Sequence, residues 1–225
     1  MNFIFDSRPS DSSLVEAIWR TQSVGGGSFI STAASHWEMV VTKQKGKITL
    51  SIRGPETKAS SASIPKNAEF LGIIFKHGAF MPHLPKSNIV DEAIHLPETA
   101  GRSFWLHGSA WQFPDFENAD TFVNKLVGEN LLMQDQVVED VLRGQTKDLS
   151  LRSLQRRFLH VTGLTYKAIQ QIERARHALT LLQSDVPIPE TAYQAGYFDQ
   201  AHLTNSLRRF VGQTPAQISR PNLPE

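Results

Sequence analysis

The spacing of hydrophobic and polar positions changes about halfway along this chain of 225 residues. In the first half, HWEMVVTKQKGKITLSI contains two runs rich in Val, Ile and Thr, and Lys45-Gly46 between them indicates a hairpin. The mostly apolar run AEFLGIIFKHGAF predicts a buried strand, and DSSLVEAIWRT predicts one short helix. We therefore expect residues 1–115 to form a β-rich, cupin-like sandwich or barrel.

Helical spacing begins near Pro114, where apolar residues start to recur every three or four positions. NADTFVNKLVGENLL and MQDQVVEDVLRG both follow this pattern. We expect a helical linker over residues 116–133 and an all-α domain over residues 134–225. The predicted fold class is α+β with two domains, in which the first would sense a ligand or mediate self-association.

A first helical block is LSLRSLQRRFLHVTGLT. Ser150 is a suitable N-cap, since its hydroxyl can accept from free amides of the first turn, and Gly163 supplies a stop. Arg152 and Arg156 project from one face, with Gln155 beside them. The opposite face is predicted to be buried and carries Leu151, Leu154, Phe158 and Val161.

A second block, GYFDQAHLTNSLRRFVGQTPAQI, repeats this organisation. Gly196 can adopt a backbone conformation that other residues resist, and Asp199 is the expected N-cap. Gly212 is expected to end the helix, and Thr214-Pro215 to begin another short one. The buried stripe is expected to consist of Leu203, Leu207 and Phe210.

Between the blocks, YKAIQQIERARHALTLLQS predicts a helix of roughly 17 residues, about 25 Å long. A short helix over IPETAYQAGY follows. The long helix could hold two recognition helices at a fixed separation, and recognition helices in consecutive major grooves are spaced by about 34 Å.

Charge is distributed unevenly, although the net charge is only +1. Residues 150–176 contain six Lys or Arg against the single acid Glu173, and residues 200–220 contain three Arg and no acid. Such basic faces suit nucleic acid. The chain has no cysteine, no apolar run long enough to span a membrane and no signal-peptide pattern, so we expect a cytoplasmic protein.

The polar faces of the two blocks carry side chains that can bind DNA. Arginine pairs with guanine in the major groove, and Asn or Gln pairs with adenine, which suits Arg152, Gln155, Arg156, Gln200, His202 and Asn205. Phosphate contacts add affinity without reading sequence. The residues expected to make them are Arg157, Thr204, Arg208 and Arg209.

From Leu149 to Ser219 the chain resembles the AraC/XylS family of transcription regulators. The most specific part is the order Ala-x-x-x-Gly-aromatic, Asp-Gln-x-His-Leu, Arg-Arg-Phe, Gly-x-Thr-Pro. The resemblance implies two helix-turn-helix units joined by a long helix, with recognition helices near 150–161 and 199–211. The family's base-reading positions fall at Ser150, Arg152, Gln155 and Arg156, and at Gln200, Ala201, His202 and Asn205.

Two departures from the family pattern stand out. Gly144 is followed by QTKDL before Ser150, which is longer than usual, so the first scanning helix is expected to be shifted or shortened. Ala201 has no hydrogen-bonding group and can offer only a methyl contact to thymine.

The alternative from another class is a cupin-like metalloenzyme with a helical accessory domain. His36-Trp37-Glu38 would supply one half of a metal site, but no His-x-His pair occurs. No Walker loop or Gly-x-Ser-x-Gly elbow is present. A third interpretation is a ligand-binding partner protein that does not bind DNA.

We therefore predict a ligand-responsive, sequence-specific transcription regulator that is not an enzyme and uses no metal or cofactor. Its expected partner is double-stranded DNA. Further candidate partners are a small-molecule effector in the N-terminal domain, RNA polymerase and a second copy of the chain, while a membrane is not expected.

Overall fold

The computed structural model describes residues 4–99, 102–145 and 149–219. The chain divides into two compact units. Unit 1 comprises residues 1–27, 36–55 and 63–165, and unit 2 comprises residues 28–35, 56–62 and 166–225. The helices of the second half are therefore shared between the units, since the fourth of the seven α-helices in the described residues begins at Tyr166.

The centre of unit 1 is a six-stranded sheet in which each neighbouring pair runs antiparallel, in the order β1-β2-β7-β4-β5-β9. These strands are β1 (Ile4–Arg8), β2 (Val15–Ser23), β4 (Glu38–Gln44), β5 (Lys47–Arg53), β7 (Ala68–Phe75) and β9 (Ala93–His95). The hairpin predicted at Lys45-Gly46 is confirmed, because Gln44 pairs with Lys47 and both turn residues have positive φ. The predicted buried strand is β7, which lies between β2 and β4.

The short helix predicted over DSSLVEAIWRT is wrong, because this segment contains most of strand β2. β2 pairs with β1 on one side and β7 on the other. Its two buried apolar residues, Val15 and Ile18, are three positions apart because a bulge falls between Val15 and Ala17. Because the local pattern was ambiguous, the pairing of β2 with strands on both sides determined its conformation.

Shorter elements cover the apolar side of the sheet. A three-stranded sheet contains β10 (Glu98–Thr99), β11 (Ser103–Leu106) and β12 (Ser109–Gln112), and helix α1 (Ala119–Gly128) follows it. Phe104, Trp111 and Phe122 from these elements pack into one core with strand residues such as Ile18 and Leu50. Two further strands, β8 (Ala79–Phe80) and β13 (Met133–Gln134), pair with each other.

A short 3-10 helix, Lys86–Asn88, lies beside this core. Lys86 is fully buried, and its Nζ lies 3.9 Å from the centre of the Trp37 ring. Trp37 itself stacks on Phe75 and donates to the Ala79 carbonyl at 2.7 Å. Burial lowers the pKa of the Lys86 ammonium to about 7.

The remaining helices of unit 1 are α2 (Gln136–Leu142) and α3 (Leu151–Thr162). Unit 2 contains α4 (Tyr166–Gln183), α5 (Ile188–Gln194), α6 (Gln200–Phe210) and α7 (Pro215–Ser219). The predicted long helix is confirmed as α4, whose 18 residues correspond to about 27 Å. Within the described residues, no helix is long and apolar enough to cross a membrane.

Unit 2 also includes two segments from the first half of the chain, residues 28–35 and 56–62, which we call the β arm. The arm contains most of two paired strands, β3 (Gly27–Ser31) and β6 (Ser60–Ile64). Ala34 and Glu56 join its segments through two backbone hydrogen bonds of 3.0 and 2.8 Å. This part of unit 2 was not expected from the sequence.

Candidate nucleic-acid interface

The first helix-turn-helix unit consists of α2 and α3. Asp135 caps α2 by accepting from the amides of Val137 and Val138 at 3.0 and 3.2 Å. Ser150 caps α3 by accepting from the Ser153 amide at 3.2 Å, and Gly163 ends it with φ of 77°. Both ends predicted for this recognition helix are thus confirmed, because they depend on local capping chemistry.

The predicted base readers of α3 lie on its solvent-exposed surface. Arg152, Gln155 and Arg156 are all exposed, and their spacing of three and four residues places them on one face. Ser150 is exposed too, but its hydroxyl is within 2.9 Å of the Ser153 hydroxyl in addition to its capping bond. The hydroxyl of Ser150 is therefore already engaged in capping the N-terminus of α3.

Arg157, predicted to hold a phosphate, has a partner within its own unit. Its Nη1 lies 3.4 Å from Oδ1 of Asp135, the N-cap of α2, and both sides of this pair belong to the first helix-turn-helix unit. The side chain is still substantially exposed, so a phosphate could compete for it. The ion pair links the two helices directly.

The apolar face of α3 is narrower than the sequence predicted. Phe158 and Val161 are fully buried, and Leu154 is half-buried. Leu151 was expected on the buried stripe, but this expectation is wrong, since 79% of its surface is exposed. Leu151 is the first residue of the helix, whereas the contacts with β8 and the 3-10 helix lie near its end, where Phe80 packs against His160 and the Lys86 carbonyl approaches Gly163.

The second helix-turn-helix unit consists of α5 and α6. Gly196 adopts φ of 70°, as its expected role requires. Tyr197 is buried, its hydroxyl lies 2.8 Å from that of Ser206, and burial raises its pKa. Asp199 caps α6 by accepting from the His202 amide at 2.7 Å, which confirms the predicted N-cap.

Arg174 of α4 fixes the turn before α6 from a second direction. Its guanidinium lies 4.9 Å from the centre of the Tyr197 ring and donates to the Gly196 carbonyl at 3.4 Å. This contact combines cation–π attraction with a backbone hydrogen bond. The residues leading into α6 are therefore held on both sides.

All four predicted base readers of α6, Gln200, Ala201, His202 and Asn205, are exposed. The His202 ring packs edge-on against Tyr197, with centroids 5.1 Å apart. The phosphate candidates Arg208 and Arg209 are exposed as well. Thr204 is half-buried and donates to the Gln200 carbonyl at 2.8 Å, so its hydroxyl already has a partner in the helix.

The β arm contacts the far end of α6. The amides of Ala33 and Ala59 donate to the carbonyls of Phe210 and Arg209 at 2.7 and 2.8 Å. Carbonyls in the last turn of a helix have no partner within the helix. The arm supplies those partners next to both phosphate candidates. Sequence reasoning missed it because no local pattern indicates this pairing.

The two helix-turn-helix units differ in the length of the loop that joins their helices. α2 and α5 both span seven residues, but eight residues (143–150) precede α3 and five (195–199) precede α6. The first scanning helix is therefore as long as the second, and the extra residues lie in the loop. Residues 146–148 of that loop are outside the described part of the chain.

The half-site of the metalloenzyme alternative is occupied by other contacts. The Glu38 carboxylate accepts from Trp19 Nε1 at 3.2 Å and lies 3.6 Å from Arg53 Nη1. The His36 ring packs against His77, with centroids 3.9 Å apart. The carboxylate that the sequence offered as a ligand is thus part of the sheet surface.

Two capped helices with exposed basic and amide-bearing faces, each preceded by a short scanning helix, form two helix-turn-helix units, a motif typical of DNA-binding proteins. Residues 147–220 match the family model of a helix-turn-helix domain. The match lies within the region whose motifs resemble the AraC/XylS family, as that resemblance predicted.

The same region is similar to parts of two proteins named as transcriptional regulators. It is 38% identical over 73 residues to HTH-type transcriptional regulator GlxA of Rhizobium meliloti (strain 1021), covering 32% of this chain and 22% of that protein. It is 30% identical over 79 residues to HTH-type transcriptional regulator RipA of Corynebacterium diphtheriae, covering 35% and 24%. The chain therefore matches less than a quarter of the length of these relatives.

Among solved structures, ToxT from Vibrio cholerae aligns with 95% of this chain and 97% of its own, at 9% identity and a TM-score of 0.40. The apo K231A variant of ToxT aligns at 7% identity and a TM-score of 0.43, covering 93% and 98%.

Proposed function

We propose that this protein is a sequence-specific, DNA-binding transcription regulator that acts by binding rather than by catalysis. The observation that carries the proposal is the pair of recognition helices whose exposed faces carry arginine, glutamine and asparagine. α3 and α6 contain no acidic residue, so their faces are electrostatically suited to a phosphate backbone. A regulator of this kind works where the DNA is, which supports a cytoplasmic location.

We assign base reading to Arg152, Gln155 and Arg156 of α3, with Ser150 beside them, and to Gln200, Ala201, His202 and Asn205 of α6. Arg157, Thr204, Arg208 and Arg209 would bind phosphates. The proposed domain division keeps the β-rich part at residues 1–115, the linker at 116–133 and the DNA-binding part at 134–225. Each helix would enter one of two successive major grooves.

The test begins with selection of binding sites from random duplex DNA by the full chain. Enrichment of one sequence with two elements about 10 base pairs apart would support the proposal. Recovery of no sequence preference at moderate salt would contradict it. The selected duplex then serves as the probe for variants.

The variant that tests α3 is Arg152→Ala with Arg156→Ala. Each bidentate contact to guanine contributes about 1–3 kcal/mol, so together we expect at least about a 30-fold loss in affinity. The matched control is Lys47→Ala with Lys66→Ala, which removes two exposed positive charges from unit 1 outside the helices. Equal losses in both double variants would mean that only net charge matters.

We further propose that unit 1 binds a small-molecule effector in a cleft of about 410 Å³. Buried Val41 and Leu71 form part of its lining, and the charged side chains of Arg20 and Glu69 lie at the same site. Apolar surface with a few polar groups is typical of ligand sites. Screening small molecules for compounds that raise the melting temperature of the full chain tests this proposal. The variant Gln22→Trp narrows the cleft and should bind such a compound more weakly. A stabilising compound that the variant still binds equally well would place the site elsewhere.

RNA polymerase and a second copy of the chain are further proposed partners. Sedimentation of the full chain with and without the selected duplex measures whether two copies of the chain associate. A single protomer per duplex would contradict a dimeric regulator.

A further inference from the structure

Each recognition helix begins with a large apolar side chain that faces solvent. Phe198, directly before the N-cap Asp199 of α6, is 92% exposed. Leu151, directly after the N-cap Ser150 of α3, is 79% exposed. Isolated exposed apolar residues are common on protein surfaces. Here, however, two occur at the N-terminal ends of two helices whose exposed faces carry arginine, glutamine and asparagine.

Phe198 is exposed while its chain neighbours are fixed. On one side, the buried Tyr197 is held by Ser206 and by Arg174. On the other side, Asp199 is held by its capping bond. The backbone thus presents the phenyl ring to solvent in a defined place, and a side chain with two rotatable bonds loses little entropy when it is covered.

Leu151 is presented in a comparable way. Ser150 fixes the start of α3 by its bond to the Ser153 amide, and Arg152 and Arg156 lie on the exposed surface of the same helix. Leu151 therefore lies on a basic helix. Phe198 adjoins the Asp199 carboxylate, which accepts from the His202 amide, and precedes a helix with two arginines and no acidic residue. A partner that covers them has to tolerate or attract positive charge, which a duplex does.

The N-terminal residues of a recognition helix are those that reach base edges in the major groove. Of the groups displayed there, only the C5-methyl of thymine is apolar, and Phe and other apolar side chains contact it. Resting on the function proposed above, we propose that Phe198 and Leu151 are specificity-determining residues that each contact a thymine methyl group. Ala201 adds a smaller methyl surface next to Phe198 on α6.

The experiment uses the full chain and the selected duplex, in which each thymine is replaced singly by deoxyuridine. This removes one methyl group and leaves the hydrogen-bonding edge of the base unchanged. Burial of one such group corresponds to about a fourfold change in Kd. We expect one sensitive thymine in each half of the site.

The variants assign each methyl group to its side chain. Phe198→Ala is expected to abolish the effect of deoxyuridine on Kd in the half of the site bound by α6 and to keep it in the half bound by α3. Leu151→Ala is expected to abolish the effect in the α3 half and to keep it in the α6 half. Tyr193→Ala is the matched control, because Tyr193 is 85% exposed in the same unit but lies on the scanning helix α5. It should leave both sensitivities unchanged.

The outcomes separate this inference from the proposed function. If the wild-type chain selects a site but no deoxyuridine changes its Kd, or if Phe198→Ala retains full methyl discrimination, the inference fails and DNA binding stands. If the wild-type chain selects no site, the proposed function itself fails. Thermal unfolding of both variants should match that of the wild type, since both side chains are exposed.

Discussion

Gly163, which ends the first recognition helix, is expected to be far less tolerant of substitution than Gly144, which follows α2. The two residues have nearly identical backbones, with φ of 77° and 79°. A Cβ added at Gly163 would lie 2.9 Å from the Lys86 carbonyl oxygen and 2.9 Å from Cγ2 of Val90. At Gly144, no heavy atom of the described residues lies within 4 Å.

The magnitudes follow from these two environments. Alanine in the left-handed conformation costs about 1–2 kcal/mol at either position. Only Gly163→Ala adds a clash with backbone, and overpacking of this kind costs about 1–3 kcal/mol more. Gly144→Ala therefore isolates the conformational cost, and the difference between the variants measures the close approach of α3 to the 3-10 helix.

Urea unfolding of the two variants and the wild type measures this difference. We expect equal m-values and a lower midpoint for Gly163→Ala, because the added Cβ clashes in the native state while the surface area exposed on unfolding is unchanged. If the free energies of unfolding of the two variants agree within about 0.5 kcal/mol, less than the overpacking cost, the proposed packing against the Lys86 carbonyl is refuted.

Three further outcomes are expected. Tyr197→Phe and Ser206→Ala should each destabilise unit 2 by about 1 kcal/mol and, in the double variant, by less than the sum; additive losses would contradict the hydrogen bond. Ala59→Pro removes the amide that donates to the Arg209 carbonyl. Amides at the end of α6 should then exchange faster with deuterium, and unchanged exchange would exclude a capping role. Lys86 has a pKa lowered to about 7, so between pH 7 and 10 the unfolded chain binds more protons there than the folded chain. Stability relative to Lys86→Met should therefore rise with pH across this window and be flat below it, and a fall in stability between pH 7 and 10 would contradict the lowered pKa.

The helices of the second half could be predicted because their ends depend on neighbouring residues. Ser150, Gly163 and Asp199 cap or end their helices through bonds a few residues long, and the glycine conformations follow from the same local chemistry. The Lys45-Gly46 hairpin is local in the same sense. Exposure of the candidate DNA-contacting faces follows from helical periodicity, while the roles of individual residues stay predictions.

The structural features that could not be predicted from the sequence depend on residues far apart in the chain. β2 was mistaken for a helix because its conformation is set by β1 and β7 on either side. Leu151 fits the apolar periodicity of α3, but its exposure depends on where the helix ceases to be covered. Phe198 could have been noticed as an aromatic residue directly before an N-cap, although nothing local shows which way it faces.

The β arm has a practical consequence for work with fragments of this protein. The last carbonyls of α6 are bonded to Ala33 and Ala59, which precede every helix found in the described residues. A fragment that starts at residue 134 would contain every residue assigned to DNA and still leave that helix end without its partners. The second helix-turn-helix unit and the β arm that completes it are thus assembled from three separate stretches of the chain. They cannot be moved into another protein as one continuous segment.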